Sequence, residues 1–184
     1  TKKYDAAAVE FRRALDACPQ QRVLLLELAQ ALTFERRFPE AERAARDFLA
    51  VQPNSEQGLL VLANVHFMAQ KFDECQKLVK RVLEANARSL PALKLKANVH
   101  YLVGEEQEAE QAFLAAVQLA PKDEDAVYSL GRIYYQQNRF EPAIAQLKRV
   151  LELNPASYRA YDNLGLCYEA LNREEEAIRH YLKA

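Results

Sequence analysis

The chain is 184 residues long and carries 25 Lys/Arg against 26 Asp/Glu, a net charge of −1, so no global field selects for nucleic acid or an anionic membrane. Half of its residues are apolar, yet Gly occurs only four times and Pro seven. That scarcity of breakers excludes a strand-and-turn protein, and no apolar run approaches the ~20 residues of a membrane span.

In chain order, the apolar stripes predict a first helix at 4–17 inside a partial unit, 1–21. Helix pairs follow at 22–35 and 38–51, 56–69 and 72–85, 90–103 and 106–119, and 124–137 and 140–153. A last pair falls at 158–171 and 174–184. In residues 124–157, Val127, Leu130, Gly131 and Tyr134 share one face of the first helix, and Ala143, Leu147 and Val150 share one face of the second. Pro19, Pro53, Pro121 and Pro155 are separated by 34, 68 and 34 residues. This period divides the chain into complete units 22–55, 56–89, 90–123 and 124–157, flanked by 1–21 and 158–184, all within one domain at 1–184. The eighth place of the unit holds only small residues: Ala29, Ala63, Ala97, Gly131 and Gly165. The twentieth holds Ala7, Ala41, Cys75, Ala109, Ala143 and Ala177. Small residues there let two helices cross closely, and a hairpin so built buries its remaining apolar face only against neighbouring hairpins.

Asn163-Leu164-Gly165-Leu166-Cys167-Tyr168, with Ala177 and Tyr181, resembles the tetratricopeptide repeat, as does Ser129-Leu130-Gly131-Arg132-Ile133-Tyr134 with Ala143 and Pro155. The resemblance covers essentially the whole chain and implies an all-α solenoid, a right-handed superhelix of antiparallel helical hairpins. Two units depart from the pattern. Unit 22–55 has Ala45 and Phe48 where the family has large then small, which is read as a size swap. Unit 90–123 has Lys96 at a core leucine place beside Leu95, so either Lys96 snorkels or that helix is rotated. The ends imply uncovered apolar faces at Phe11, Ile178 and Tyr181, hence a fragment of a larger protein or end-to-end self-association through uncapped terminal helices.

No phosphate-binding glycine loop, metalloprotease helix or serine-hydrolase motif occurs. Cys18, Cys75 and Cys167 form no CxxC pair; they suit a reducing compartment, the cytoplasm being favoured over the periplasm. His66 and His100 occupy the eleventh place of successive units. They read as aromatic-sized core filler with one ring nitrogen hydrogen-bonded, against a metal pair that lacks a third ligand. His180 falls on a solvent face. The expectation is a non-enzyme with no cofactor and no metal.

The resemblance further implies that the first helices of successive hairpins line a concave groove. At the family's groove positions, unit 22–55 places Leu26, Gln30 and Phe34, and unit 56–89 places Leu60, Asn64, Phe67 and Met68. The next unit contributes Lys94, Asn98 and Tyr101, followed by Tyr128, Arg132 and Tyr135 and finally Arg159. The stripe is rich in residues that grip partners, and Asn64 and Asn98 are placed to hydrogen-bond an extended peptide. Some relatives hold a C-terminal acidic peptide in a dicarboxylate clamp. Its positions here are Lys94, Asn98, Ser129, Arg159 and Asn163, two cations where the family has three. The implied function is a scaffold or adaptor for a protein or peptide ligand, with no nucleic acid and no membrane insertion. The alternatives are the non-catalytic arm of a larger enzyme, such as a glycosyltransferase, or a part of a bacterial envelope or secretion assembly. Charge is unevenly spread as well: residues 71–96 hold seven Lys/Arg against three acids, and 105–125 hold seven acids against one Lys.

Overall fold

Small residues at the eighth and twentieth places decide how the hairpins close. In the computed structural model, which describes Arg13 and residues 22–184, Ala29, Ala63, Ala97, Ala41, Cys75, Ala109 and Ala143 are all fully buried at helix crossings. The described residues form ten helices and no strand. These are α1 (Leu24–Phe34), α2 (Phe38–Leu49), α3 (Glu56–Met68), α4 (Phe72–Ala85), α5 (Leu90–Leu102), α6 (Glu106–Leu119), α7 (Glu124–Gln136), α8 (Phe140–Leu153), α9 (Tyr158–Ala170) and α10 (Glu174–Tyr181). The architecture is an all-α solenoid of helix-turn-helix repeats. The expected helix at 4–17, with Phe11 and Cys18, lies outside the described residues.

Two units divide the chain, one running to Leu95 and the other Lys96–Ala184, with the division falling inside α5. In the first, α1 packs on α2, α2 on α3, and α3 on α4. In the second, α6 packs on α7, α7 on α8, α8 on α9, and α9 on α10. First helices also meet directly, α1 with α3 and α7 with α9, which is the nearest-neighbour stacking that buries what a lone hairpin leaves bare.

Local chemistry sets the helix ends. Ser55 and Asp123 cap α3 and α7 by accepting from the Gly58 and Ala126 amides at 3.2 and 2.8 Å. Such caps satisfy amides that the helix cannot. At each first-helix C-terminus one residue turns left-handed: Arg36, Gln70, Gly104, Asn138 and Asn172, 34 residues apart, with φ from 57° to 81°. The next amide reaches back to close the end, as in Lys71 N–H to His66 C=O at 2.8 Å and Arg139 N–H to Tyr134 C=O at 2.8 Å. That is the Schellman closure. Recurrent side-chain ties hold each hairpin to its loop. Asn86 donates to Glu56 at 3.0 Å and Asn154 to Glu124 at 3.0 Å. Arg81 and Arg149 donate to the carbonyls of Pro53 and Pro121.

The structure resolves both departures from the repeat. Ala45 and Phe48 are both buried, and the volume of Phe48 is accommodated by Gly58, where an added Cβ would meet the ring at 2.8 Å. In α5, Leu95 is buried and Lys96 exposed, so Leu95 takes the core place. At the C-terminal end Ile178 and Leu182 are exposed. Tyr181 is half-buried, packed against Gly165, with its hydroxyl donating to Glu169 at 2.6 Å.

Candidate functional site

Residues not consumed by hairpin packing gather on the first helices. In the first unit, Gln30 and Asn64 are exposed, Leu60 and Phe67 half-buried, and Phe34 and Met68 are 63% and 47% exposed at the C-terminal ends of α1 and α3. Phe67 meets Phe72 edge to face at 6.1 Å between ring centres, a contact that fixes its rotamer. Leu26 corrects the sequence expectation. It is 0% exposed and belongs to the core cluster with Ala29, Leu32 and Val65. Fully buried, it contributes to the core rather than offering surface. Lys94 and Asn98 stand one turn apart on α5, both half-buried.

The second unit brings together side chains from three first helices. Tyr101 on α5 accepts at its hydroxyl from Arg132 Nη2 at 2.6 Å and from Gln136 Nε2 at 2.7 Å, both on α7. The Arg132 guanidinium lies 5.2 Å from the Tyr101 ring centre and 6.0 Å from that of Tyr128. Arg159 on α9 covers Tyr128 at 4.8 Å and faces Asp125 at 3.5 Å. Asn163 donates to the Tyr128 hydroxyl at 3.1 Å and to its own helix at the Arg159 carbonyl at 2.9 Å. Tyr135 tilts against Phe140 at 5.7 Å. The result is a ladder, Tyr101–Arg132–Tyr128–Arg159, in which each cation rests on an aromatic face. Two members of the clamp set are thereby engaged, Arg159 with Asp125 and Tyr128, and Asn163 with Tyr128.

Periodicity alone gives the members of this ladder, not their pairing. The pairs are 31 to 35 residues apart. They arise because the twelfth place of one unit meets the ninth of the next, while the fifth meets the following unit's sixth. That offset, applied along the chain, is the signal that would have found them.

Three histidines lie elsewhere. His66 is 3% exposed with no hydrogen-bond partner at Nδ1. Burial pushes its pKa down, with nearby Glu42 opposing and Lys71 and Arg46 assisting. His100 Nδ1 lies 2.5 Å from Glu105. His180 corrects its solvent-face expectation. It is half-buried, stacks on Tyr168 at 5.2 Å and 13°, and has a buried, unpartnered Nδ1. The tight closure of α10 on α9 folds that helix face inward. Burial pushes the Cys75 thiol up to about 12 and, with Glu141 adding to it, Cys167 up to about 11, which keeps both as inert thiols. Among the described residues no three His, Cys, Asp or Glu side chains converge to hold a metal ion, and no helix is long and apolar enough to cross a membrane.

Comparison with known proteins follows the same lines. A family model described as the tetratricopeptide repeat matches residues 128–184. A second, for subunit 3 of the anaphase-promoting complex (cyclosome), matches residues 35–116. No curated protein sequence matches the chain. Among solved structures, MamA is 23% identical with a TM-score of 0.75, covering 88% of this chain and 88% of that one. MamA from Desulfovibrio magneticus RS-1, residue 41 to the end, is 20% identical with a TM-score of 0.78, covering 89% and 93%. YrrB, described as a TPR protein with an unusual peptide-binding site, is 18% identical with a TM-score of 0.69, covering 94% and 89%. At these identities the likeness carries the fold alone.

Proposed function

Because the chain is a tetratricopeptide-repeat protein, built on a fold that serves as a scaffold for protein interactions, we propose that it binds another polypeptide along the free surface of its first helices. The observation that carries this is the ladder of Tyr101, Arg132, Tyr128 and Arg159. Tyr and Arg supply large contact area and directional hydrogen bonds, and both are enriched where single residues dominate binding. Each is already held by a neighbour, so docking costs little further side-chain entropy.

The first unit carries a surface of its own. Phe34, Leu60, Phe67 and Met68 offer apolar contact, Gln30 and Asn64 carry amides suited to the backbone of an extended segment, and Lys94 is a cation. Within the second unit, Asn98 adds an amide and Tyr135 apolar area. YrrB, described as having a peptide-binding site, supplies a precedent within this fold. The proposed role is that of a non-catalytic scaffold, with neither nucleic acid nor a cofactor taking part.

The test compares immobilised wild type with a Tyr101→Ala, Tyr128→Ala, Arg132→Ala variant whose helical content and melting are first checked. A photo-crosslinker at Asp162, exposed on α9 one turn from Arg159, and another on the second-helix face at Glu152 locate any partner captured. Loss of the partner from the variant, with crosslinks at 162 and none at 152, is expected. Equal capture by both proteins would sink the proposal.

A further inference from the structure

A cleft of about 450 Å³ opens in the first unit between the second helices α2 and α4, with α3 beneath. Leu62 and His66 form its buried base, and Leu49 and Leu78 form half-buried walls. Around its mouth stand Arg46, Lys77 and Arg81, opposed by one carboxylate, Glu74. Arg46 gives its Nε and Nη2 to Glu42 at 3.0 and 2.8 Å, leaving Nη1. Arg81 holds the Pro53 carbonyl at 3.1 Å through Nη2 alone. Lys77 has no ion-pair partner among the described residues. His66, itself buried, closes the base beside Leu62.

We propose that this cleft binds a carboxylate carried on a short aliphatic body. Volume, charge and lining agree on that class. The space lies within the range of small-ligand sites, the leucines suit a chain of a few methylenes, and the cations suit one negative charge held by charge-assisted hydrogen bonds. A bare inorganic anion would leave the leucine walls uncovered, and a neutral alkyl chain would leave the cations unmatched. The carboxylate could come from a free short-chain acid or from an acidic side chain beside a leucine in a polypeptide. None of the first-helix side chains assigned above to partner binding takes part, so this site stands or falls on its own.

The experiment follows backbone amide shifts of the whole chain by ¹H–¹⁵N NMR. The probes are hexanoate, hexan-1-ol, inorganic phosphate and the peptide acetyl-Leu-Glu-Leu-amide. Saturable shifts confined to residues 46–53, 62–66 and 74–81 are expected with hexanoate or the peptide, and the tighter of the two identifies the source of the carboxylate. A Lys77→Ala variant, altered at one exposed position without an ion-pair partner among the described residues, should keep its melting temperature and bind roughly tenfold more weakly. Hexan-1-ol binding as tightly as hexanoate would overturn the proposal, as would phosphate saturating at the same midpoint. So would a variant that binds like wild type.

Discussion

Gly58 sits where a methyl group would meet the Phe48 ring and Leu49 Cδ2, each at 2.8 Å. Equivalent places in later units hold Val82 before Ala92, Ala116 before Ala126, and Val150 before Ala160. Glycine thus occurs where its partner is phenylalanine, and alanine where the partner is smaller. Gly58→Ala should therefore cost about 1–3 kcal/mol by overpacking, measured by chemical denaturation. In a Phe48→Val background the same change should be neutral or stabilising, the coupling expected of residues in contact. An equal cost in both backgrounds would show that Phe48 is not the obstacle. The sequence identifies Phe48 as a departure but pairs it with Ala45 inside its own unit; the true partner lies in the next.

The eleventh place shows a similar dependence on its neighbours. Tyr134 and Tyr168 lie under Arg139 and Arg173 at 4.4 and 4.7 Å, whereas His100 is matched by Glu105. His66 has Lys71 five residues on, and Lys71 pairs with Glu42 at 3.2 Å instead. Burial therefore holds His66 neutral, and His180 likewise, burial again being the main cause with Lys183, Lys148 and Arg179 assisting. A lowered folded pKa means that the unfolded chain takes up protons first. Stability present above the ordinary histidine value of about 6.5 is then lost as pH falls below it. Midpoints of denaturation at pH 7.5 and 5.5 should show a smaller drop for His66→Tyr than for wild type. Identical drops would remove His66 from the account.

Among elements, the helix ends were the least legible feature. The helices themselves follow from apolar spacing and the 34-residue period, so pairs expected at 56–69 and 72–85 appear as Glu56–Met68 and Phe72–Ala85. The left-handed residue after each first helix is not legible in the sequence, because Gly104, Asn138 and Asn172 suit that conformation while Arg36 and Gln70 do not. A side chain held at φ 59° carries a cost that glycine avoids. Gln70→Gly should stabilise the chain by roughly 0.5–1 kcal/mol, after allowing for glycine's greater freedom when unfolded. Gln70→Val, β-branched at the same φ, should destabilise it. Denaturation curves ranking Val above Gly would contradict the closure geometry. On the first helices, most exposed places were legible from register. Leu26 was not: it is fully buried in the core cluster, whereas the equivalent Leu60, Lys94 and Tyr128 are only half-buried, a difference the period cannot express.

At the scale of the whole molecule, charge and apolar exposure make competing claims on self-association. Net charge is −1 and the isoelectric point about 6.3, so near pH 6 little long-range repulsion keeps copies apart. A basic stretch at 71–96 and an acidic one at 105–125 can attract each other between molecules, and such attraction is screened within a Debye length of about 8 Å at 0.15 M salt. Ile178 and Leu182 offer an apolar alternative, being 58% and 82% exposed. That contact would be insensitive to moderate salt, because burying hydrocarbon involves no charge. Light scattering across pH 5.5–8 at 0.05 and 0.5 M sodium chloride separates the two. Attraction should peak near pH 6 and weaken in high salt, if charge dominates. Attraction that persists in high salt and disappears in Ile178→Ser, Leu182→Ser would instead assign association to the exposed apolar side chains of α10 and the residue that follows it, and exclude the charge blocks as its cause.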